Sequence, residues 1–168
     1  MSIYFLDTEF LEGTQKRFFG KTKPTIDLIN IGIVSEDGRE YYAISKDFNL
    51  KEAWNRFDLE IQSGDMRNIF PEGRKVYWIR ENVLKPMWIE KCKNGFTFKD
   101  SPMTPHGIES LFTYSNFKKL IKKYGKSNKE IANEIIDFTF KDSSEILKNG
   151  IKFYTYFGDY DWVVFCWL

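Results

Sequence analysis

Apolar positions along the chain follow two different periods. Ile3-Tyr4-Phe5-Leu6 is a short unbroken apolar run that stops at Asp7, the pattern of a buried strand. The stretch from Phe10 to Thr25 mixes Gly, Lys and Thr and reads as a loop. Two β-rich runs, Ile26 to Val34 and Tyr41 to Ile44, then flank Ser35-Glu36-Asp37-Gly38-Arg39. Asp-Gly between such runs predicts an antiparallel hairpin, because Gly supplies the positive φ of a tight turn.

Helical spacing takes over further on. Val76 to Trp88 has apolar residues at 76, 79, 83, 84 and 87, and Pro86 is expected to end or kink that helix. Asn94 to Gly107 holds two Gly, two Pro and the only His, His106, and reads as a loop. Ser115-Asn116 is placed to cap a short helix through Tyr124. Its Phe117, Leu120, Ile121 and Tyr124 share one face, and Lys118, Lys119, Lys122 and Lys123 lie toward the other. Ser127-Asn128-Lys129-Glu130 fits a capping box, in which two side chains satisfy orphan N–H groups, and apolar residues at 131, 132, 135, 136 and 138 follow. After Asn149-Gly150, residues Ile151 to Phe157 read as a strand, and Asp161 to Leu168 as the first turns of a buried helix. This order predicts an α/β fold: a mixed sheet of three antiparallel strands plus a parallel fourth, with flanking helices. The parallel crossover needs helical material, and residues 76–141 supply it.

Length, 168 residues, suits one domain over 1–168 and is short for two. Net charge is +1, from 25 basic and 24 acidic residues, so any affinity for polyanions has to come from local concentration of charge. Cys92 and Cys166 have no CxxC partner or neighbouring His, which argues against structural zinc and for free thiols in a reducing compartment. The N-terminus lacks the basic region of a signal peptide, and no apolar stretch approaches membrane-spanning length. A soluble, cytoplasmic protein is expected.

Candidate chemistry changes the picture most. Asp7-Thr8-Glu9 puts two acids at i and i+2 at the end of an apolar strand, where side chains of that spacing point to one face. Two such carboxylates repel unless a cation lies between them, and their hard oxygens suit Mg²⁺ or Mn²⁺. A solvated strand exit also accounts for D-x-E taken alone. Gly158-Asp159-Tyr160-Asp161-Trp162 is a second acidic motif between a strand and an apolar helix. A helix N-cap accounts for Asp161 taken alone.

IYFLDTEF, then IDLINIGIVSEDGREYYAIS, then YFGDYDWVVF together resemble the DEDD exonucleases of the ribonuclease H-like fold. The closest likeness is to the bacterial branch of polyadenylate-specific 3′-exoribonuclease AS, which includes mycobacterial 3′–5′ exoribonucleases. Trp78 to Leu84 is similar to that branch's W-[VI]-R-x-x-V-L element. The likeness covers most of 1–50, 76–88 and 127–168, with insertions around 51–75 and 89–126.

The resemblance implies hydrolysis of phosphodiester bonds at single-stranded 3′ ends, RNA ahead of DNA, by a mechanism using two Mg²⁺ or Mn²⁺ ions. Asp7, Glu9 and Asp161 become both the metal ligands and the catalytic carboxylates, with Asp159 as the competitor of Asp161. Phe157 stands where relatives carry Asn. Thr8, Phe10, Lys16 and Arg17 are the candidate substrate-binding residues, with Lys21 and Lys23 in the same loop. The family's third motif, H-x-x-x-x-D or Y-x-x-x-D, does not occur between Asp161 and Leu168, and His106 is not a substitute for it. A catalytically incomplete, C-terminally incomplete domain is therefore expected. Its apolar end, Trp162 to Leu168, would be covered by a second copy of the chain in a homodimer or by the 89–126 insertion. The competing function is a nucleic-acid-binding or assembly protein of the same fold without catalysis.

Overall fold

The computed structural model of the protein describes residues 2–16, 22–60, 73–96, 104–140, 150–156 and 158–168. Along the chain run β1 (Ser2–Lys16), β2 (Thr22–Ser35), β3 (Glu40–Ser45), α1 (Leu50–Asn55), β4 (Asp58–Glu60) and β5 (Arg74–Val76). A π-helical turn, Arg80–Leu84, leads into α2 (Lys85–Lys93), followed by α3 (Pro105–Ser110), α4 (Tyr114–Tyr124) and β6 (Gly125–Lys126). Then come α5 (Asn128–Thr139), β7 (Ile151–Thr155) and α6 (Gly158–Cys166). The described residues gather into two compact units, Met1–Asn49 with Ile121–Leu168, and Leu50–Leu120.

The first unit is built on a five-stranded mixed sheet in the order β6-β3-β2-β1-β7. β1, β2 and β3 are antiparallel, β7 runs parallel to β1, and the two-residue β6 runs parallel to β3. Three antiparallel strands with a parallel fourth beside β1 is the predicted α/β architecture, with β6 as an addition. The Asp-Gly hairpin forms as expected: Gly38 has φ +83° and its N–H donates to the Ser35 carbonyl.

The predicted loop from Phe10 to Thr25 is corrected by the structure over Phe10–Lys16 and Thr22–Thr25, while residues 17–21 lie outside the described residues. β1 stays paired with β2 from Tyr4↔Ser35 as far as Lys16↔Thr22. Cross-strand backbone pairing outweighs the weak β preference of Gly, Lys and Thr, as tertiary context often does.

The pairing slips once, between Glu9↔Asn30 and Phe10↔Leu28, which leaves Ile29 as the extra residue of a bulge. Because side chains alternate with period two, the extra residue inverts the parity of β2. Ile31 and Ile33 on one side of the bulge, and Leu28 on the other, therefore reach the same core. They join Tyr4, Leu6 and Ala43 under Ile131 and Ile135 of α5 and Val164 of α6. On the opposite face Phe5, Val34 and Tyr154 form a cross-strand row and are exposed.

α5 begins with the predicted capping box. The Ser127 hydroxyl accepts from the Glu130 N–H at 3.2 Å, and the Glu130 carboxylate accepts from the Ser127 N–H at 2.6 Å. The Ser127 N–H and hydroxyl, then Lys46, hold the exposed Glu130 carboxyl down at about 2, below its ordinary 4.5. A lowered folded-state pKa means stabilisation that is present above the ordinary value and lost as pH falls through the lowered one. Stability should therefore drop between pH 4.5 and about 2, and Glu130→Gln should flatten that limb in melting curves taken against pH. Ser127→Ala is expected to cost about 1 kcal/mol at neutral pH in the same melts.

In the second unit, Trp88 is fully buried and its indole N–H donates to the Ile108 carbonyl at 2.8 Å. Trp54 packs against Phe112, Tyr114 and Phe117. Pro86 neither ends nor breaks the helix predicted there. The helix runs on through it: a π-turn just before, closed by the Lys85 N–H on the Arg80 carbonyl, shifts the bonding register and leaves Pro86 in the first turn of α2.

Two smaller readings also shift. Within the predicted 94–107 loop, Thr104 caps α3 by accepting from the Gly107 N–H at 3.1 Å, so the backbone of His106 is helical. α4 starts at Tyr114, and Thr113, ahead of Ser115, accepts from the Asn116 N–H. Among the described residues no helix is long and apolar enough to cross a membrane. Both cysteines are free, Cys92 buried and Cys166 exposed.

Candidate active site

β1 enters the site as a core strand and leaves it as a polar one. Tyr4 and Leu6 are buried, as is Thr8, while Asp7 is exposed and Glu9 half-buried. Asp7 and Glu9 therefore share the face that i, i+2 spacing on a strand dictates. Gly32 is the β2 partner of Asp7, and a Cβ there would meet nothing within 4 Å. No side chain from that position overhangs the Asp7 carboxylate. The bulge follows directly after Glu9, where such irregularities re-aim the side chains beside them.

The second acidic motif arrives from the parallel strand β7, whose Thr155 pairs with Leu6. α6 starts at Gly158, so Asp161 is the helix's fourth residue and not its N-cap. It is only 2% exposed. Its Oδ1 accepts from the Thr8 hydroxyl at 2.6 Å and from the Thr8 N–H at 3.2 Å. Thr8 lies between Asp7 and Glu9, so the structure brings the two acidic motifs together across 153 residues of chain. Asp159, the competitor, is exposed on the outer side of the same turn.

The electrostatics follow from this geometry. Asp7 is open to solvent, yet partial desolvation beside the sheet raises its carboxyl above its ordinary value, and the charge of Asp161 raises it further. Glu9 is raised by burial first, then by Asp7 and by Asp161. Asp7 and Glu9, whose ionised forms are disfavoured in this setting, are donors that a hard divalent cation would relieve. They do not form a ready-made cage. Among the described residues no three His, Cys, Asp or Glu side chains converge closely enough to hold a metal ion. Asp161 meets β1 at Thr8, through that residue's hydroxyl and backbone N–H, and not at Asp7 or Glu9. Mg²⁺ commonly uses one or two carboxylates and completes its shell with waters and substrate phosphate oxygens, so the donors present fit it without a closed cage.

The remaining sequence candidates fall differently. Thr8 is committed to Asp161. Phe10 is partly buried against the core, with its ring stacked on Tyr160 at 5.3 Å. Lys16 ends β1, and Arg17, Lys21 and Phe157 lie outside the described residues. Two features escaped the sequence reading, the Ile29 bulge and the Thr8–Asp161 link. The adjacent pair Leu28-Ile29, which breaks the alternation of β2, was the available sign of the first. Nothing in the local sequence marks the second, because it joins residues at opposite ends of the chain.

No protein-family model matches the chain. A stretch of 50 residues, 30% of the chain, is 50% identical to curated proteins from two strains of Mycobacterium tuberculosis, each named a 3′-5′ exoribonuclease. The match covers 24% of each of those relatives.

Proposed function

We propose that the chain carries the metal-site carboxylates of a 3′–5′ exoribonuclease, with Asp7, Glu9 and Asp161 as that set. The observation that carries this reading is the buried hydrogen bond from Thr8 to Asp161, which seats the late acidic motif against the residue between the two early ones. The partial likeness to mycobacterial 3′-5′ exoribonucleases supports the same reaction class, and RNA ahead of DNA.

Asp7 and Glu9 would hold Mg²⁺ or Mn²⁺, two ions in the full site. When bound, such ions neutralise phosphate charge and acidify a water. Asp7, exposed beside Gly32, is the carboxylate most open to a substrate phosphodiester. Glu9, half-buried, is the more fixed of the pair. Asp161 adds a third negative charge and, through Thr8, locks the β1 backbone that aims the other two.

The test is a 5′-labelled single-stranded RNA incubated with the protein and Mn²⁺. Progressive shortening from the 3′ end, stopped by a chelator, is the expected result. Internal cleavage products, or shortening indifferent to the chelator, would overturn the proposal. A second reading, binding of nucleic acid without hydrolysis, is favoured by the absence of three converging ligands among the described residues. RNA retained by the protein at unchanged length in Mn²⁺ is the outcome that selects it.

A further inference from the structure

The second unit carries a short antiparallel hairpin, β4 with β5, whose two faces differ in chemistry. Its register pairs Asp58 with Val76, Leu59 with Lys75 and Glu60 with Arg74. Side chains alternate along each strand, so Leu59 and Lys75 share one face while Asp58, Glu60 and Arg74 share the other. One step beyond the ladder, Phe57 and Tyr77 continue the first face, with ring centres 5.9 Å apart. The hairpin's acids thus lie beside Arg74, and the first face holds two rings, an aliphatic side chain and a cation.

Cations and rings alternate along that first face. The Lys75 ammonium lies 4.3 Å from the centre of the Phe57 ring, and the Arg80 guanidinium 3.8 Å from that of Tyr77. Arg80 also reaches the Trp54 ring, at 5.7 Å, and Trp54 is packed against Phe112, Tyr114 and Phe117. The row is therefore anchored at its Arg80 end to the aromatic cluster of its own unit. At its other end it is open, with Phe57 41% and Leu59 62% exposed. Arg80 is paired with Glu81 at 3.2 Å, so the exposed Lys75 is the cation better placed for an outside anion.

This combination selects a partner. The open ring and leucine suit a flat apolar group, and the lysine beside them suits a negative charge. A nucleic-acid duplex offers phosphates but hides its base faces in the stack. A single strand presents a flat base and a phosphate at every nucleotide, and interleaved rings and cations are the surface that holds it. In a chain of net charge +1, such a local arrangement is what affinity for a polyanion requires.

We propose that this face is a second contact for single-stranded RNA, one base packing on Phe57 and Leu59 while a neighbouring phosphate meets Lys75. The choice of RNA rests on the exoribonuclease reading, and the contact adds to it a hold on the strand that needs neither metal nor a 3′ end. Phe57 and Lys75 lie in the 51–75 stretch that the family resemblance does not cover, so the resemblance does not supply this contact.

Anisotropy of a fluorescein-labelled, unstructured RNA of about 20 nucleotides, longer than common single-strand sites, tests this on the intact chain. Chelator is present, so that binding is read apart from cleavage. Phe57→Ala should weaken binding about tenfold, within the range for a base stacked on a ring, and Phe57→Tyr should bind as the parent does. Lys75→Gln should reduce the slope of log affinity against log salt by about 0.7, the share of one single-strand phosphate. Poly-glutamate at matched charge should displace little of the RNA. Parent-like affinity in Phe57→Ala, an unchanged slope in Lys75→Gln, or equal losses in Phe57→Ala and Phe57→Tyr would each overturn the proposal. So would ready displacement by poly-glutamate, which would mark a surface for an acidic protein. If the contact fails in this way while the parent still shortens RNA from the 3′ end in Mn²⁺, the exoribonuclease reading stands. If the parent neither binds nor shortens the RNA, both fall.

Discussion

Asp7→Asn should reduce metal-dependent RNA shortening by about 1,000-fold or more, or ~4 kcal/mol in the barrier, while leaving the protein as stable as before in metal-free buffer. The activity loss follows from removing the most exposed carboxylate of the set. Stability should hold, or rise slightly, because the ionised form of Asp7 is disfavoured by partial desolvation and by the charge of Asp161. An amide of the same shape removes the repulsion and, where the side chain stands free of the strand ladder, breaks no backbone bond. RNA shortening assays and thermal melts in chelator check the two halves. A variant that melts several degrees below the parent would make Asp7 a structural residue and overturn the assignment.

Asp161→Ala carries the second large effect, and here it falls on the fold. Asp161 is buried and accepts two hydrogen bonds from Thr8, itself only 5% exposed. Deleting the carboxylate leaves a backbone N–H and a hydroxyl without that acceptor, at about 1–3 kcal/mol for each buried group left unsatisfied. Relief of the repulsion on Asp7 and Glu9 offsets part of this, so a net loss of about 2–4 kcal/mol is expected. That corresponds to a Tm lower by roughly 5–15 °C for a chain of this size. Asp161→Asn keeps a carbonyl oxygen for Thr8 and should lose less than half as much. Both variants remove the third negative charge, so both should weaken Mn²⁺ binding to a similar degree. Comparing the two separates the residue's role as an anchor for β1 from its role as a charge. An alanine variant as stable as the parent would mean that the Thr8 link does not hold the strand.

Much of the sheet was legible because its signals are local. The apolar run before Asp7, the Asp-Gly turn and the S-x-x-E box each act within a few residues, and each appears where its chemistry requires. β1 beyond Phe10 was not legible. Its residues favour a loop individually and become a strand only because β2 is there to pair with them, which a local pattern does not record. Pro86 misled for a related reason. A proline ends a helix when its missing N–H orphans a carbonyl, but a π-turn just before it shifts the bonding so that the proline falls in a first turn.

For the site, i, i+2 spacing correctly put Asp7 and Glu9 on one face, and the strand-to-helix junction correctly marked Asp161 as turned inward. The polarity of the arrangement was hidden. Asp161 reaches β1 through Thr8, a residue whose type gave no hint of that contact.

The most direct test of the central claim, that Asp7, Glu9 and Asp161 serve one metal site, is an anomalous difference map from crystals grown with Mn²⁺. The account predicts a peak about 2.1–2.3 Å from an Asp7 carboxylate oxygen, between the usual Mg²⁺ and Ca²⁺ distances. Glu9 or Asp161 should contact that ion directly or through one water, and the peak should vanish in Asp7→Asn. Well-ordered crystals at saturating Mn²⁺ with no peak at Asp7, or a peak there that survives Asp7→Asn, would contradict it.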